Sequence, residues 1–319
     1  MIKLSSAENR RLDDAARAGW LYYVAGNTQD EIAKKLGVSR QSAQRMVALS
    51  VSEKLIKVRL DHPIAKCMDL ADKIASRFGL LSCEVVPSDN ADPHSTFGLA
   101  QAGANEIERH LKAEQPKIFA MGTGRVLRAC VDELAPLDCK QHKLVALLGN
   151  IASDGSASPY DVVVRMAERV NATQYPMPLP ILPKSKQEKE QLHSLQYVAK
   201  NMQLALQADV TFVGVGNLGD NSPLHLDGVV TVSELAELQA AGAAGEIISW
   251  VFDKNGKLLD CAINQRVAST PMAIASNKPV FAIAAGKDKV TAILGALRSK
   301  MVNSLITNEY TAECLLSID

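Results

Sequence analysis

The run Thr28-Gln-Asp-Glu-Ile-Ala-Lys-Lys-Leu-Gly-Val-Ser-Arg40 packs two helix starts and one helix stop into a short span. Thr28 and Glu31 have the spacing of a capping box. The Thr28 hydroxyl can accept the Glu31 N–H while the Glu31 carboxylate reaches back to the start of the helix. The helix that follows places Ile32, Ala33 and Leu36 on one face. Gly37 then supplies the left-handed backbone of a tight turn, Val38 enters the core, and Ser39 caps a further helix. Upstream, Leu12, Ala15, Ala16, Trp20, Tyr23 and Val24 recur at three- and four-residue steps. This predicts a helix over 9–25 that closes at Gly26 and Asn27.

The helix beginning at Arg40 keeps Ala43, Met46 and Val47 for packing, which leaves Arg40, Gln41, Gln44 and Arg45 pointing outward. Arginine can pair with guanine, and glutamine with adenine, through two contacts in the major groove. Ser39, Ser42 and the helix N-terminus suit phosphate oxygens. Thr28 and Gln29, at the start of the preceding helix, complete the candidate DNA-binding set. A basic strand over 55–60 is expected to add a wing against the DNA backbone. Helix, turn and polar helix together resemble the helix-turn-helix of bacterial transcription factors. The competing account is an ordinary helical hairpin with a solvated polar face, in which the capping box, glycine turn and basic-polar helix coincide by chance.

Charge supports a division of the chain. Its 35 basic and 35 acidic residues cancel, yet residues 1–60 hold 11 Lys and Arg against 6 Asp and Glu, leaving 24 against 29 in the remainder. A small basic module that meets a polyanion, followed by a larger acidic part with another task, is the expected organisation: a DNA-binding domain over 1–60 and an effector-binding and oligomerisation domain over 61–319. With 47% hydrophobic and 22% charged residues, the composition is that of a folded globular protein. No apolar run approaches the roughly 18 residues that span a bilayer, and the first residues lack a basic-then-apolar leader. The expectation is a cytoplasmic protein with no membrane partner.

Beyond residue 63, strand-like runs alternate with helical patterns, which predicts an α/β fold with a doubly wound, mostly parallel sheet. A helix over 64–78 leads to a strand at 83–87. Strands at 117–121, 143–148 and 280–284 precede helices at 124–134, 160–170 and 288–301, and further strands fall at 208–215 and 304–307. Ser158-Pro159 reads as a helix start. The strand ends are rich in glycine and polar residues: Gly122, Thr123, Gly124 and Arg125; Gly149 and Asn150; Gly214, Gly216 and Asn217; and the loop carrying Lys289. In an open parallel sheet these ends share one edge, where ligands bind, so a polar pocket is expected there. Glu246 enters a strand beside two glycines, where its carboxylate could meet ligand hydroxyls or lie exposed. A hairpin is read over 247–252 and 257–262. Residues 176–190, with four prolines and then a charged run, read as an extended connection before a helix at 191–207.

Other chemistries find little support. Gly214-Val-Gly-Asn-Leu-Gly219 fits the dinucleotide fingerprint literally, but Pro223 and the polar residues before it stop a helix from starting there. There is no Gly-rich phosphate loop ending in Lys-Ser or Lys-Thr, and no nucleophile elbow. The six histidines lie far apart and the six cysteines form no C-x-x-C pair, so neither a metal nor a cofactor is expected.

Leu21-Tyr-Tyr-Val-Ala-Gly-Asn-Thr-Gln-Asp-Glu-Ile-Ala33, Ala208-Asp-Val-Thr-Phe-Val-Gly-Val-Gly216, Ala243-Ala-Gly-Glu246 and Ala292-Ile-Leu-Gly-Ala-Leu-Arg298, with Leu305-Ile-Thr-Asn308, resemble the SorC family of sugar-responsive transcriptional regulators over nearly the whole length. The resemblance implies an N-terminal winged helix-turn-helix and an effector domain shaped like sugar-phosphate isomerases and deaminases. It also implies double-stranded operator DNA as a partner, self-association as a dimer or tetramer, and regulation rather than catalysis. Gly122, Thr123, Gly124 and Arg125 would grip a phosphate or sugar oxygens, Gly214 and Gly216 would line the site, and Lys289 would face the ligand. Glu246 stands where the family usually has Asp, and Asn308 where it often has Asp. The Thr-Gly-Arg loop replaces the family's bulkier Ser-Trp-Gly. Arg125, adding charge to the loop amides, could favour a phosphorylated effector, with a free sugar or polyol also open. The alternative is an isomerase- or deaminase-like enzyme with a DNA-binding appendage.

Overall fold

The computed structural model describes residues 6–56, 65–88, 97–152, 155–157 and 161–318. The chain forms two compact units, Met1–Pro63 and Ile64–Asp319. In the first, helices α1 (Ser6–Tyr23), α2 (Gln29–Leu36) and α3 (Arg40–Ser52) pack around Ala18, Ile32, Ala33, Ala43 and Val47. The capping box closes at α2: the Thr28 hydroxyl accepts the Glu31 N–H at 3.4 Å, and Glu31 Oε2 accepts the Thr28 N–H at 2.7 Å. Gly37 takes the left-handed conformation with φ 67°, and Ser39 accepts the Ser42 N–H at 3.1 Å to start α3.

One feature of this unit departs from the sequence pattern. Trp20 is 55% and Val24 66% exposed, so neither joins the core. The buried stripe of α1 instead runs through Ala15, Ala18 and Gly19. A Cβ on Gly19 would collide with Ser50 and Ile56, so the helices approach through small residues and the bulky ones are left at the rim. Of the strand read over 55–60, Leu55 and Ile56 form a bend, and 57–60 lie outside the described residues.

The second unit carries strands β1 (Ser82–Val86), β2 (Ile118–Met121), β3 (Lys143–Ala146), β4 (Thr173–Tyr175), β5 (Val210–Val213), β6 (Gly216–Asn217), β7 (Ala243–Ile247), β8 (Trp250–Asp253), β9 (Val280–Ile283) and β10 (Ser304–Asn308). Its helices are α4 (Ala65–Phe78), α5 (Phe97–Leu111), α6 (Arg125–Glu133), α7 (Val162–Val170), α8 (Lys186–Ser194), α9 (Gln196–Leu206), α10 (Pro223–Leu226), α11 (Val232–Ala240), α12 (Ala262–Arg266), α13 (Val290–Ser299) and α14 (Glu309–Ser317). Seven strands lie in the order β1-β10-β9-β5-β2-β3-β4, with every pairing parallel.

Strand residues alternate between two apolar layers. Phe119, Met121, Phe212 and Phe281 face α5, α6 and α7, while Ala120, Val213, Ala282 and Leu305 face α4, α13 and α14. Both faces are therefore covered, which is why these strands read as continuous apolar runs. Phe212 and Phe281 stack at 5.2 Å between ring centres in the middle of the sheet, and each fully buried ring of this kind contributes roughly 1.5–3 kcal/mol.

A second, antiparallel sheet, β6-β7-β8, grows from the end of β5. It splits the strand read over 247–252. Ile248 and Ser249, with φ of 45° and 72°, form a tight turn, so β7 ends at Ile247 and β8 begins at Trp250. The turn read after Phe252 forms, with Asp253 N–H donating to Lys257 O at 3.0 Å, but the second strand read over 257–262 does not: only Leu258 bridges Phe252, and α12 begins at Ala262. The helix read over 191–207 is broken at Leu195 into α8 and α9. Asp161 caps α7, accepting the Val164 N–H at 3.3 Å, whereas Ser158, Pro159 and Tyr160 lie outside the described residues. The proline-rich segment is no loose connection, since Met177 and Leu179 are fully buried and Leu179 O accepts the Ile151 N–H at 3.1 Å.

Candidate functional site: an effector cleft and a nucleic-acid interface

β2 and β5 are neighbours whose onward connections run in opposite directions, β2 towards β3 and β4, β5 towards β9 and β10. A crevice opens outside the carboxyl ends of such a pair. Gly122 N–H donates to Phe212 O at 2.8 Å, which fastens the loop after β2 to β5. Gly124, with φ 117°, then starts α6 with no side chain capping its first amides.

The cleft at this point has a volume of about 160 Å³, and its lining includes Thr123, Gly124, Arg125, Gly214, Gly216, Glu246 and Lys289. Seven sequence candidates from four separate segments thus meet in one place. Gly122, Gly149 and Asn150 line a smaller adjoining hollow of about 20 Å³, which shares Thr123 and Leu148 with the cleft. Two of these have evident structural work. A Cβ on Gly149 would strike the Leu179 carbonyl, and Asn150 Nδ2 donates to Asp161 Oδ2 at 2.8 Å. Asn217 lines neither space and is buried in β6; Asn308 likewise lies outside the lining and caps α14, accepting the Thr311 N–H at 2.9 Å.

The charges of the cleft are tightly held. Glu246 Oε2 accepts the Ser249 N–H at 2.7 Å, a bond made possible by the left-handed turn, and Lys289 Nζ donates to Val215 O at 2.9 Å. Burial pushes the Glu246 carboxyl above the ordinary range; the Ser249 N–H and the Lys289 charge pull it back, and Asp227 adds to the rise. Burial pushes the Lys289 amine down, opposed by Glu246 and reinforced by Arg125. Both groups are therefore poised where a ligand hydroxyl could replace lost hydration.

Arg125 is paired with Asp227, just past α10, at 2.9 Å. Sequence reasoning missed Asp227, which stands 102 residues from its partner and follows a four-residue helix with no recognisable pattern. It also missed the apolar wall, to which Val126, Leu148, Ile181, Leu224 and Ile248 contribute. Among the described residues no group of three His, Cys, Asp or Glu could hold a metal ion, and no helix is long and apolar enough to cross a membrane.

On the N-terminal unit, α3 presents Arg40, Gln41, Gln44 and Arg45 as exposed side chains. Arg40 Nε lies 3.5 Å from Asp30 Oδ1, an exposed pair that a phosphate or base could displace at little cost. Thr28 and Ser39 spend their hydroxyls on the helix caps. Ser42 Oγ sits 2.9 Å from Ser39 Oγ, and Gln29 is half-buried at the start of α2.

Residues 62–317 match the sequence family described as "Putative sugar-binding domain". The chain is 32% identical over 302 residues to the erythritol catabolism regulatory protein EryD of Brucella abortus, covering 95% of this chain and 96% of that protein. It is 27% identical over 302 residues to the sorbitol operon regulator of Klebsiella pneumoniae, covering 93% and 95%. The crystal structure of the full-length sorbitol operon regulator SorC from Klebsiella pneumoniae superposes with a TM-score of 0.76 at 25% identity, covering 95% of this chain and 98% of that one. These relatives are regulators, not enzymes. The chain belongs to the SorC family of transcriptional regulators with a sugar-binding domain.

Proposed function

We propose that this chain controls an operon for the use of a carbohydrate or polyol, binding operator DNA through α3 and a small polyhydroxy effector in the cleft between β2 and β5. The observation that carries this reading is the convergence of Arg125, Glu246 and Lys289 with the glycine loops on one cleft, in a chain whose helix α3 exposes Arg40, Gln41, Gln44 and Arg45, side chains of the kind that can read bases. The lining combines two cations and two carboxylates with an apolar wall, a mixture of donors and acceptors that a hydroxyl-bearing carbon chain satisfies. The relative named for erythritol catabolism makes short polyols the first compounds to try.

Effector control requires a difference in effector affinity between DNA-bound and free states. We assign DNA binding to residues 1–60 and effector binding with self-association to 61–319, in the cytoplasm. A two-fold symmetric dimer would read a roughly palindromic operator, and dimers could pair into tetramers. Footprinting on the DNA upstream of its own gene, with and without erythritol and a panel of C4 to C6 sugars, polyols and their phosphates, tests the proposal. A discrete protected site whose affinity shifts with one compound supports it. Uniform weak binding, or indifference to every compound, rejects it. Sedimentation of the free chain tests the oligomer.

A further inference from the structure

Among the described residues that line the cleft, the charged ones are Arg125, Lys289, Asp227 and Glu246, two of each sign. The pairing is specific rather than statistical. Asp227 Oδ1 stands 2.9 Å from the Arg125 guanidinium, the position a phosphate oxygen would take, because carboxylate and phosphate use the same donor fork. Lys289 is committed to the Val215 carbonyl and feels Glu246 as its counter-charge. Asp227 also lies close enough to Glu246 for its charge to add to the rise of that carboxyl. An incoming phosphate dianion would meet both carboxylates and would have to displace one of them from its cation. An uncharged hydroxyl can instead donate to either carboxylate and accept from either cation without breaking the balance.

We infer that Asp227 sets the effector class: by holding the Arg125 guanidinium it fits the cleft to an uncharged polyhydroxy compound and turns phosphorylated ones away. The inference rests on the cleft being the effector site. Asp227 acts as a built-in stand-in for the phosphate that the helix start at Gly124 would otherwise attract, since the first amides of α6 carry no side-chain cap. The surrounding apolar side chains Val126, Ile181 and Leu224 offer such a dianion no further hydration.

The test uses the full-length chain and inorganic phosphate as the probe, at constant ionic strength with chloride as the control anion. The wild type, Asp227→Asn, Asp227→Ala and the double variant Asp227→Asn with Arg125→Gln are compared by melting temperature across a phosphate titration. Removing the carboxylate charge should create a saturable phosphate-dependent rise at least about fivefold more sensitive to phosphate than any in the wild type. The double variant should lose it. A wild-type chain already stabilised by phosphate through Arg125 overturns the inference, as do Asp227 variants indistinguishable from the wild type. If no polyol alters operator binding while the phosphate response behaves as expected, the effector reading fails and the anion-excluding role of Asp227 stands.

Discussion

Gly216 and Glu246 face each other across the antiparallel pair β6–β7, and the carboxylate of Glu246 fills the space where a side chain on Gly216 would be. A Cβ there would fall well inside van der Waals contact of Oε1. The middle glycine of the apparent dinucleotide fingerprint therefore begins a strand and makes room for an acid; no helix starts beside it.

Gly216→Ala should displace that carboxylate. Overpacking of this kind costs roughly 1–3 kcal/mol, and the larger effect is expected on recognition. Titrating the variant with the effector found by footprinting should give no rise in melting temperature. An undiminished rise would remove Glu246 from the site.

Ser249→Gly should behave oppositely. Ser249 holds Glu246 through its main-chain N–H while taking a left-handed φ of 72°. Left-handed backbone costs a non-glycine residue roughly 1–2 kcal/mol, partly offset by glycine's greater freedom when unfolded. Denaturant unfolding should show unchanged or slightly raised stability, and the effector response should persist. Loss of response would mean that the hydroxyl, not the backbone, matters.

Glu246→Gln probes the buried charge through pH. The folded chain raises the Glu246 carboxyl above 4.5, so it binds that proton more tightly than the unfolded chain. Its contribution to stability is therefore full below pH 4.5 and is lost as pH rises through the raised value. Glutamine does not titrate. The stability of the variant relative to wild type should climb as pH rises above 4.5 and then level off; a pH-independent difference contradicts the burial of the charge.

Arg40→Ala or Gln44→Ala should weaken binding at the protected operator by about 1–3 kcal/mol and relax preference at one base position. Gel-shift titrations on the operator and on single-base variants measure both. Uniform weakening on all sequences would instead make these residues phosphate contacts.

Much of this was legible in the sequence because strong local signals agreed with the tertiary outcome. The Thr28–Glu31 box, Gly37 and the apolar runs before Gly122 and Gly214 each specify one conformation. What escaped lacked such signals. β4 is a three-residue edge strand, largely exposed and without an apolar pattern. The Ile248–Ser249 turn carries neither Gly nor Asn, so its left-handed backbone is imposed by the packing of β7 and β8. The outward placement of Trp20 follows from how closely α1 meets α3 at Gly19, which periodicity alone does not encode. Asp227 became visible only when the fold brought α10 to α6.

Arg125, Asp227, Glu246 and Lys289 all lie outside the apolar clusters that stabilise the sheet. Arg125 and Asp227 are moreover exposed, so exchanging that pair leaves the layers beneath it intact. A lineage carrying this scaffold is free to exchange one nutrient signal for another by a few substitutions, with heritable robustness supplied by the layers beneath and novelty by the edge above.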